Sequence, residues 1–499
     1  MQRTFRTPAW LAAMTLALAL VVGGVTGSIV QSSTQQPNYT VASDNRSQVS
    51  LDQGFSPVVK SAAPAIVNIS SSKVVKTPEV GPDSPLNDPF LRRFFGEDFM
   101  RQFRVPKERR EHSLGSGVIV DPNGYIVTNN HVIEGATDVK VALSDNSEMT
   151  AKVVGSDPGS DIAILKIDRD HLTALHFADS SAVQVGDIAL AMGNPFGIGR
   201  TVTMGIVSAM GVGGLGIEDY EDFIQTDASI NPGNSGGGLV NVRGELIGVN
   251  TAILSPSGGN LGIGFAVPSN MVRTAVDQII KTGKVTRGYL GVGIQNVTPE
   301  LATALKLGDR KGALVSDVDP NGPATRAGLQ QGDLIIEVNG KPVEDSRELR
   351  LLISSSAPGT QMNLRVFRDG QTRNVTVTLG ELPVKESSAG TKEKSSSVEK
   401  DATHFGIGVA DITPDIASQL DLPKNTKGVV VAEVEDGSPA AEAGIMPGDL
   451  IKEVDRQPVH SVAEFRAQLA KRGKDPLLLL VNRQGHSVYV ALKPITAAG

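Results

Sequence analysis

The stretch 231-NPGNSGGG-238 places one serine, Ser235, among glycines. Glycines on both sides leave the serine hydroxyl open to a substrate. They also let the backbone N–H groups of Gly233 and Ser235 turn toward one point, where the oxyanion of an acyl transfer would form. An isolated stretch of this kind is more often a glycine-rich surface turn. The rest of the chain therefore has to decide whether Ser235 is a nucleophile.

A nucleophilic serine needs a base that takes its proton and a carboxylate that fixes the tautomer of that base. Among the four histidines upstream of Ser235, His131 follows the predicted strand 125–128, whereas the others lie in charged or polar segments. Asp161 opens the most regular apolar run, 161–167, so we expect it at the end of a buried strand. A lone histidine is usually structural, but the order His131, Asp161, Ser235 indicates a catalytic triad.

The pattern G-x-S-x-G at 233–237 also fits the nucleophile turn of an α/β-hydrolase. That fold alternates strands and helices, and its triad runs serine, acid, histidine. Here short apolar runs separated by turn residues precede Ser235, and the first predicted helix begins with Ser269 as its N-cap and ends at Gly283. The histidines after Ser235 lie in or beside a C-terminal repeat. We therefore reject the hydrolase and predict a mainly β fold with the triad order of chymotrypsin-like proteases.

The composition excludes several classes of protein. The chain has 499 residues, a net charge of -7 and no cysteine. At about 150 residues per domain, this length suggests roughly three domains. Mixed charges without a basic stripe argue against a nucleic acid as partner. The lack of cysteine excludes disulfides and thiolate chemistry, and the histidines form no H-E-x-x-H pattern, so we expect neither a metal nor another cofactor.

The N-terminus predicts export. Arg3 and Arg6 precede an apolar stretch, residues 9–30, and a polar tether at 31–56 follows it. Residues 1–30 are either a cleaved signal peptide or a signal anchor, because the stretch is long enough to span a bilayer and has no clean cleavage site. A retained anchor would associate the protein with the membrane through residues 9–30.

Three segments of the predicted β domain are candidates for regulatory loops. Five phenylalanines mark an insertion at residues 87–111. Such a stripe is usually a packed face, but in a long segment between strands it equally fits an oligomer contact or a mobile regulatory loop. The glycine-bearing segments 211–222 and 254–261 are the other two candidates.

The C-terminal half contains a repeat. The segment 332-GDLI-335 and many of its neighbours recur at a constant offset of 116 residues, where the second copy reads 448-GDLI-451. A stretch rich in Lys, Glu and Ser separates the copies and is typical of a solvated linker. The predicted boundaries are 57–283 for the first domain, 284–383 for the first repeat, 384–402 for the linker and 403–496 for the second repeat.

Four motifs resemble the Do/HtrA family of serine proteases: 128-TNNHVI-133, 160-SDIA-163, 193-GNPFG-197 and 223-FIQTDA-228. The repeats resemble the two PDZ domains of that family. The resemblance implies a chymotrypsin-like double β-barrel protease domain followed by two PDZ domains, located in the periplasm or cell envelope. It also implies ATP-independent cleavage of misfolded or damaged envelope proteins, chaperone-like holding, and a homo-oligomer that is a trimer or a multiple of trimers.

Within this resemblance, Ser235 is the nucleophile, His131 the base and Asp161 the group that orients it, while the N–H groups of Gly233 and Ser235 form the oxyanion hole. Gly238 stands where the family usually has proline, and we expect a small effect. The residue before the serine is an asparagine, as in the family, where digestive relatives carry an aspartate that pairs with a new N-terminus. Control must therefore come from the ordering of loops.

Each repeat opens with an apolar-glycine turn that, in a PDZ domain, presents backbone N–H groups to a C-terminal carboxylate. The predicted peptide-binding residues are Tyr289, Leu290, Gly291 and Val292 in the first copy, and Phe405, Gly406 and Ile407 in the second. An assembly contact is the alternative role of the second copy. Two function classes stay open: a peptidase that recruits unfolded proteins or their C-termini, and a non-proteolytic chaperone or PDZ binding protein on the same scaffold.

Overall fold

The computed structural model describes residues 54–76, 108–195, 199–231, 233–253, 261–383, 405–420, 422–423, 426–470 and 476–493. The predicted signal segment, nearly all of the tether, most of the phenylalanine insertion, residues 254–260 and the predicted linker lie outside these ranges. Within these ranges, no helix is long and apolar enough to cross a membrane. The same residues contain no group of three or more His, Asp or Glu side chains that could hold a metal ion.

The first part of the chain begins with one sheet of seven antiparallel strands. They are β1 (Ile66–Lys76), β2 (Glu108–Asp121), β3 (Tyr125–Thr128), β4 (Asp138–Ala142), β5 (Glu148–Thr150), β6 (Lys152–Asp157) and β7 (Ile162–Lys166). Their order in the sheet is β5-β4-β1-β2-β3-β7-β6. In β4 only Val139 and Val141 are buried, which is the alternation expected of a strand with one solvent face. Strand β7 runs between two others, and its residues are apolar and buried except for the terminal Lys166.

A closed six-stranded barrel follows. Its strands are β8 (Ile188–Gly193), β9 (Thr201–Val212), β10 (Phe223–Thr226), β11 (Gly238–Val240), β12 (Leu246–Ile253) and β13 (Gly264–Pro268). They close in the order β10-β13-β12-β11-β8-β9. Buried side chains from the sheet and the barrel form one apolar cluster, which includes Ile126 and Leu165 of the sheet and Leu190 and Val240 of the barrel. The predicted mainly β fold is confirmed.

Among the described residues, three α-helices accompany these strands: α1 (Ser56–Ala62), α2 (Asn130–Ile133) and α3 (Ser269–Thr282). Helix α3 ends as predicted at Gly283, which is left-handed with a φ of +80°. The prediction that Ser269 is its N-cap is wrong, because Pro268 takes that position and Ser269 is the first helical residue. The hydroxyl of Ser269 is fully buried and donates instead to the Ala178 carbonyl at 2.7 Å.

The two repeats share the same main sheet, to which the first repeat adds one pair of short strands. The first comprises β14 (Gly288–Tyr289), β15 (Val292–Asn296), α4 (Pro299–Ala304), β16 (Ala313–Val318), α5 (Pro323–Ala327), β17 (Leu334–Val338), β18 (Lys341–Pro342), α6 (Ser346–Ser354), β19 (Gln361–Arg368), β20 (Gln371–Thr378) and β21 (Gly380–Glu381). The second comprises β22 (Ile407–Asp411), α7 (Pro414–Gln419), β23 (Val429–Val434), α8 (Pro439–Glu442), β24 (Leu450–Val454), β25 (Gln457–Pro458), α9 (Val462–Ala470), β26 (Leu477–Arg483) and β27 (His486–Leu492). The sheet orders β15-β16-β17-β19-β20 and β22-β23-β24-β26-β27 correspond strand by strand.

The aspartate of the repeated Gly-Asp-Leu-Ile motif is buried in both copies. The Arg368 guanidinium contacts both carboxylate oxygens of Asp333, at 2.5 and 2.6 Å. Arg483 contacts Asp449 in the same way, with both distances at 2.7 Å. A buried charge is costly unless it is paired and hydrogen-bonded, so the motif recurs together with its arginine.

Candidate active site

His131 lies on helix α2, directly after strand β3 and Asn129. Strand β3 pairs with β7, so the ends of these two strands meet. The Asn130 N–H and the Asn129 Nδ2 both donate to the main-chain oxygen of Asp161, at 3.1 and 3.0 Å. The sheet register therefore brings His131 and Asp161 together.

Asp161 follows the 3-10 turn Pro158–Ser160 and is left-handed, with a φ of +56°, a conformation that aspartate tolerates better than most residues. It is 2% exposed. Its carboxylate accepts the His131 N–H at 2.9 Å, contacts His131 Nδ1 at 2.7 Å and accepts the Thr251 hydroxyl at 2.5 Å. A proton on Nδ1, facing this carboxylate, leaves Nε2 of His131 as the free basic nitrogen.

The pKa of His131 reflects two opposing effects. Burial alone would lower it, but the hydrogen bond and the negative charge of Asp161 outweigh burial and raise the pKa above its usual value. Glu218 and Glu134 add smaller contributions of the same sign. The His131 side chain is 47% exposed, so its Nε2 edge can meet a substrate. A histidine held in this way can act as a general base.

Ser235 lies in the turn between β10 and β11, where the first sheet meets the barrel. The Ser116 N–H from β2 donates to the Ser235 carbonyl at 2.8 Å, and the Ser116 hydroxyl donates to the Gly233 carbonyl at 2.6 Å. The Gly236 N–H donates to the Asn250 carbonyl at 2.8 Å. Gly233 and Gly236 have φ values of +95° and +82°, and a Cβ on Gly236 would lie 2.1 Å from the Ser116 carbonyl oxygen. Glycine is therefore required at position 236.

The N–H groups of Gly233 and Ser235 in this turn have no acceptor among the residues that the structure describes. The Asn234 N–H, between them, donates to the Asn231 carbonyl at 3.0 Å. Two free N–H groups beside a serine hydroxyl are the donors that an oxyanion hole requires.

The turn of Ser235 also packs on the segment that carries His131. A Cβ on Gly236 would lie 2.4 Å from the Thr128 hydroxyl and 3.2 Å from the Asn129 nitrogen. Between the two side chains themselves, which are both described, no hydrogen bond joins Ser235 Oγ to His131. Such bonds are often long in unliganded sites and tighten when the substrate binds.

Comparison with known proteins agrees with this geometry. Residues 115–249 match the model of the trypsin-like peptidase domain, and residues 288–379 and 405–493 match that of the PDZ domain. The chain is 45% identical to a probable periplasmic serine endoprotease DegP-like of Chlamydia trachomatis, over 89% of both chains. It is 39% identical to the periplasmic serine endoprotease DegP of Escherichia coli K12, over 98% of this chain and 100% of that one. The chain belongs to the DegP/HtrA family of serine endoproteases.

A solved structure supports the membership. The HtrA-type protease AlgW with a decapeptide is 46% identical and superposes with a TM-score of 0.55, covering 66% of this chain and 100% of that one. The DegP/HtrA relatives are named as periplasmic, which agrees with the export predicted for this chain.

One loop of this serine endoprotease, residues 211–222, acts electrostatically on His131 and Asp161. The Glu221 carboxylate is 5% exposed and accepts the N–H groups of Leu215, Ile217 and Glu218, at 2.7, 2.6 and 3.2 Å. Burial alone would raise the pKa of Glu221, but the backbone N–H groups outweigh it and lower the pKa. The pKa of Glu218 is raised to about 7, first by burial and then by the charge of Asp161.

The same loop contacts the first PDZ domain and the segment that leads into it. The Arg287 guanidinium lies 4.0 Å from the centre of the Tyr220 ring. It also donates to both carboxylate oxygens of Asp157, at 2.6 and 2.5 Å. On helix α6, Arg347 contacts the Asp222 carboxylate at 3.3 Å. Loop 211–222, which belongs to the protease domain, therefore also contacts the first PDZ domain.

Sequence reasoning missed four residues of this site: Thr251, Ser116, Glu218 and Glu221. Thr251 reaches Asp161 from 90 residues further along the chain, and Ser116 reaches Gly233 from 117 residues before it. Neither lies in a motif that spacing could reveal. The sequence shows several acidic residues in loop 211–222, but nothing in it indicates that Glu221, rather than another of them, binds the loop backbone.

The predicted carboxylate turn of the first PDZ domain lies at its edge strand. Leu290 is buried, Gly291 has a φ of +78°, and its carbonyl accepts the Asp319 N–H at 2.9 Å. The Tyr289 hydroxyl contacts the Asp319 carboxylate at 3.1 Å. Val292 begins strand β15, which has a neighbour on one side only and can pair with a peptide on the other.

The second PDZ domain repeats this arrangement. Gly406 has a φ of +71°, and its carbonyl accepts the Glu435 N–H at 2.9 Å. Phe405 precedes it, and Ile407 begins the edge strand β22. The structure thus places all seven predicted PDZ residues on equivalent turns.

Proposed function

We propose that this chain is an ATP-independent serine endopeptidase of the periplasm or cell envelope that degrades misfolded or damaged proteins through an acyl-enzyme. The observation that supports it most is the buried Asp161 carboxylate on Nδ1 of His131, beside the glycine turn that carries the half-buried Ser235. The domain boundaries at 57–283, 284–383 and 403–496 belong to the same proposal.

In the proposed mechanism, His131 Nε2 removes the proton of Ser235 as its Oγ attacks the peptide carbonyl. Asp161 stabilises the imidazolium that forms, and the N–H groups of Gly233 and Ser235 hold the oxyanion. The histidine then gives its proton to the leaving amine, and water releases the acyl group through the same histidine. No step uses a metal or a cofactor.

The PDZ domains would recruit the substrate. In each, the glycine turn presents backbone N–H groups to a C-terminal carboxylate, and the following edge strand pairs with the peptide. AlgW, the similar HtrA-type protease, is known with a decapeptide. We further propose that the chain assembles as a trimer or a multiple of trimers, as the resemblance to the family implies.

A non-proteolytic chaperone on the same scaffold is the second candidate. The missing hydrogen bond between Ser235 Oγ and His131 in the described structure favours it. Against it stands the retention of the complete set of His131, Asp161, Ser235 and Gly233. Cleavage of casein by the parent chain, across temperature and with added C-terminal peptide, decides between the two, because a chaperone would bind the casein and leave it intact.

Glu218→Gln is expected to move the acid limb of the pH profile of kcat/KM to lower pH. The Glu218 charge contributes to the raised pKa of His131, and activity is lost as the pH falls through that pKa. Glu218, whose own pKa is about 7, is partly ionised in this range, so removing its charge lowers the His131 pKa slightly and the base stays neutral in somewhat more acidic solution. Glu148→Gln, at an exposed ion pair with Lys140, is the control and should leave the profile unchanged. A shift to higher pH in Glu218→Gln would contradict the assignment.

A further inference from the structure

The two PDZ domains pack sheet against sheet. In strand β26, alternate residues point to opposite sides: Leu477, Leu479 and Val481 lie in the core of the second PDZ domain, and Leu478 and Leu480 lie in a cluster shared with the first. The first PDZ domain contributes Leu314, Leu334 and Phe367 to this shared cluster. Strands whose two faces are both apolar must bury both, and here the second face is covered by the neighbouring domain.

The Gln295 side chain joins the first PDZ domain to the backbone of the second across this interface. The Gln295 Nε2 donates to the Tyr489 carbonyl at 2.9 Å, and the Gln295 Oε1 accepts the Tyr489 N–H at 2.7 Å. Tyr489 lies on β27, the edge strand of the second PDZ sheet. An edge strand presents backbone N–H and C=O groups that no neighbouring strand pairs. The Gln295 amide bonds to both of these groups of Tyr489, as a neighbouring strand would.

Gln295 lies on the strand that the proposed function assigns to peptide binding. Strand β15 is the edge of the first PDZ sheet, beside helix α6. Val292 and Ile294 pack on the core of the first PDZ domain, whereas Gln295 reaches the second domain. Gln295 therefore attaches strand β15 to the second PDZ domain, while the backbone groups at the free edge of the strand stay available to a peptide.

We propose that Gln295 is a positioning residue through which the second PDZ domain holds strand β15 of the first in the conformation that binds a peptide C-terminus. This inference rests on the proposed peptide binding by the first PDZ domain. It gives the second PDZ domain a role that requires no ligand of its own. Since a peptide gains affinity when the strand it joins is already ordered, the second domain sets the affinity of the first.

The ion pairs at the rim of the interface cannot replace this bond. Lys493 contacts Glu300 at 2.7 Å, and Arg456 contacts Asp369 at 3.0 Å, with both pairs at least partly exposed. Exposed ion pairs contribute little and are screened by salt. The apolar cluster holds the domains together, but apolar contact is not directional, so the paired amide is the group that fixes the strand.

The test uses the full chain with Ser235→Ala, so that no probe is cleaved. The probe is a fluorescent decapeptide with an apolar last residue and a free C-terminal carboxylate, and its Kd is measured by anisotropy. Gln295→Leu keeps the size of the side chain and removes both hydrogen bonds, so we expect the Kd to rise about five- to tenfold. Leu480→Asp opens the interface from the second domain without changing the first, and it should raise the Kd by a similar factor. Lys493→Ala, at the rim, should change the Kd less than about twofold.

A kinetic measurement separates positioning from a general loss of stability. In the active chain, Gln295→Leu should raise KM for an unfolded substrate with a free C-terminus, while kcat and the KM of the same substrate with an amidated C-terminus stay unchanged. If the parent chain binds the peptide and both interface variants bind it with the same Kd, the proposed role of Gln295 is wrong. The proposed peptide binding by the first PDZ domain then still stands. No binding by the parent chain would overturn the proposed peptide binding and this inference with it.

Discussion

Ser235→Ala is expected to lower kcat for cleavage of an unfolded protein by about 10⁵- to 10⁶-fold, because the variant keeps the site but has no nucleophile. The Ser235 side chain donates no hydrogen bond among the described residues, so its loss should not disturb the turn. The thermal unfolding transition of the protease domain and the Kd for a C-terminal peptide should therefore match those of the parent chain. The measurement is release of fluorescence from labelled casein, with initial rates over a range of substrate concentrations.

A matched control for this variant is Ser181→Ala. Ser181 is an exposed serine of the same domain whose hydroxyl contacts only Asp179 among the described residues. The Ser181→Ala variant should cleave casein at the parent rate. Equal cleavage by the parent and Ser235→Ala would contradict the assigned nucleophile, and no cleavage by either under all conditions would leave the chaperone as the function.

Arg287→Ala is expected to destabilise the protease domain by about 3 to 5 kcal/mol, because it leaves the buried Asp157 carboxylate without its cation. The two side chains are only 13% and 5% exposed. The variant also loses the contact of the guanidinium with the Tyr220 ring. Denaturant unfolding measures the change, with the protease transition separated from those of the PDZ domains, since a chain of several domains does not unfold in one step.

Two further variants test the cause of this effect. Arg287→Ala combined with Asp157→Ala should recover a large part of the lost stability, since the uncompensated charge is then absent. Lys284→Ala breaks an ion pair with Glu381 whose side chains are 61% and 55% exposed, and it should cost at most about 1 kcal/mol. If the double variant is no more stable than Arg287→Ala, the buried charge is not the source of the loss.

Loss of Arg287 should also affect catalysis, because Asp157 opens the turn that carries Asp161. The Ser160 hydroxyl donates to the Asp157 carboxylate, and the Tyr220 N–H donates to the Gly159 carbonyl at 3.0 Å. These contacts hold the left-handed conformation of Asp161 from both sides. A small rotation of the Asp161 carboxylate would weaken its bond to His131, so the variant should lose kcat as well as stability.

The helix at the end of the protease domain shows where local reasoning stops. Its apolar period and its terminal glycine were enough to predict that the helix exists and that it ends at Gly283. Its first residue was misjudged, since the Ser269 hydroxyl bonds to the Ala178 carbonyl, 91 residues away in the sequence. Local patterns predict what neighbouring residues do to one another, but a buried hydroxyl takes whichever partner the tertiary packing provides.

The sequence by itself determined the mainly β fold, the order of His131, Asp161 and Ser235, and the duplicated domain, because these depend on residue type, spacing and periodicity along the chain. The tertiary structure alone decided that Thr251 and Ser116 support the site, that Glu221 binds the backbone of loop 211–222, and that the PDZ domains share an apolar interface. The physical reason is that such contacts join distant segments through sheet register and domain packing, where one hydrogen bond or one buried face selects its partner by position in space.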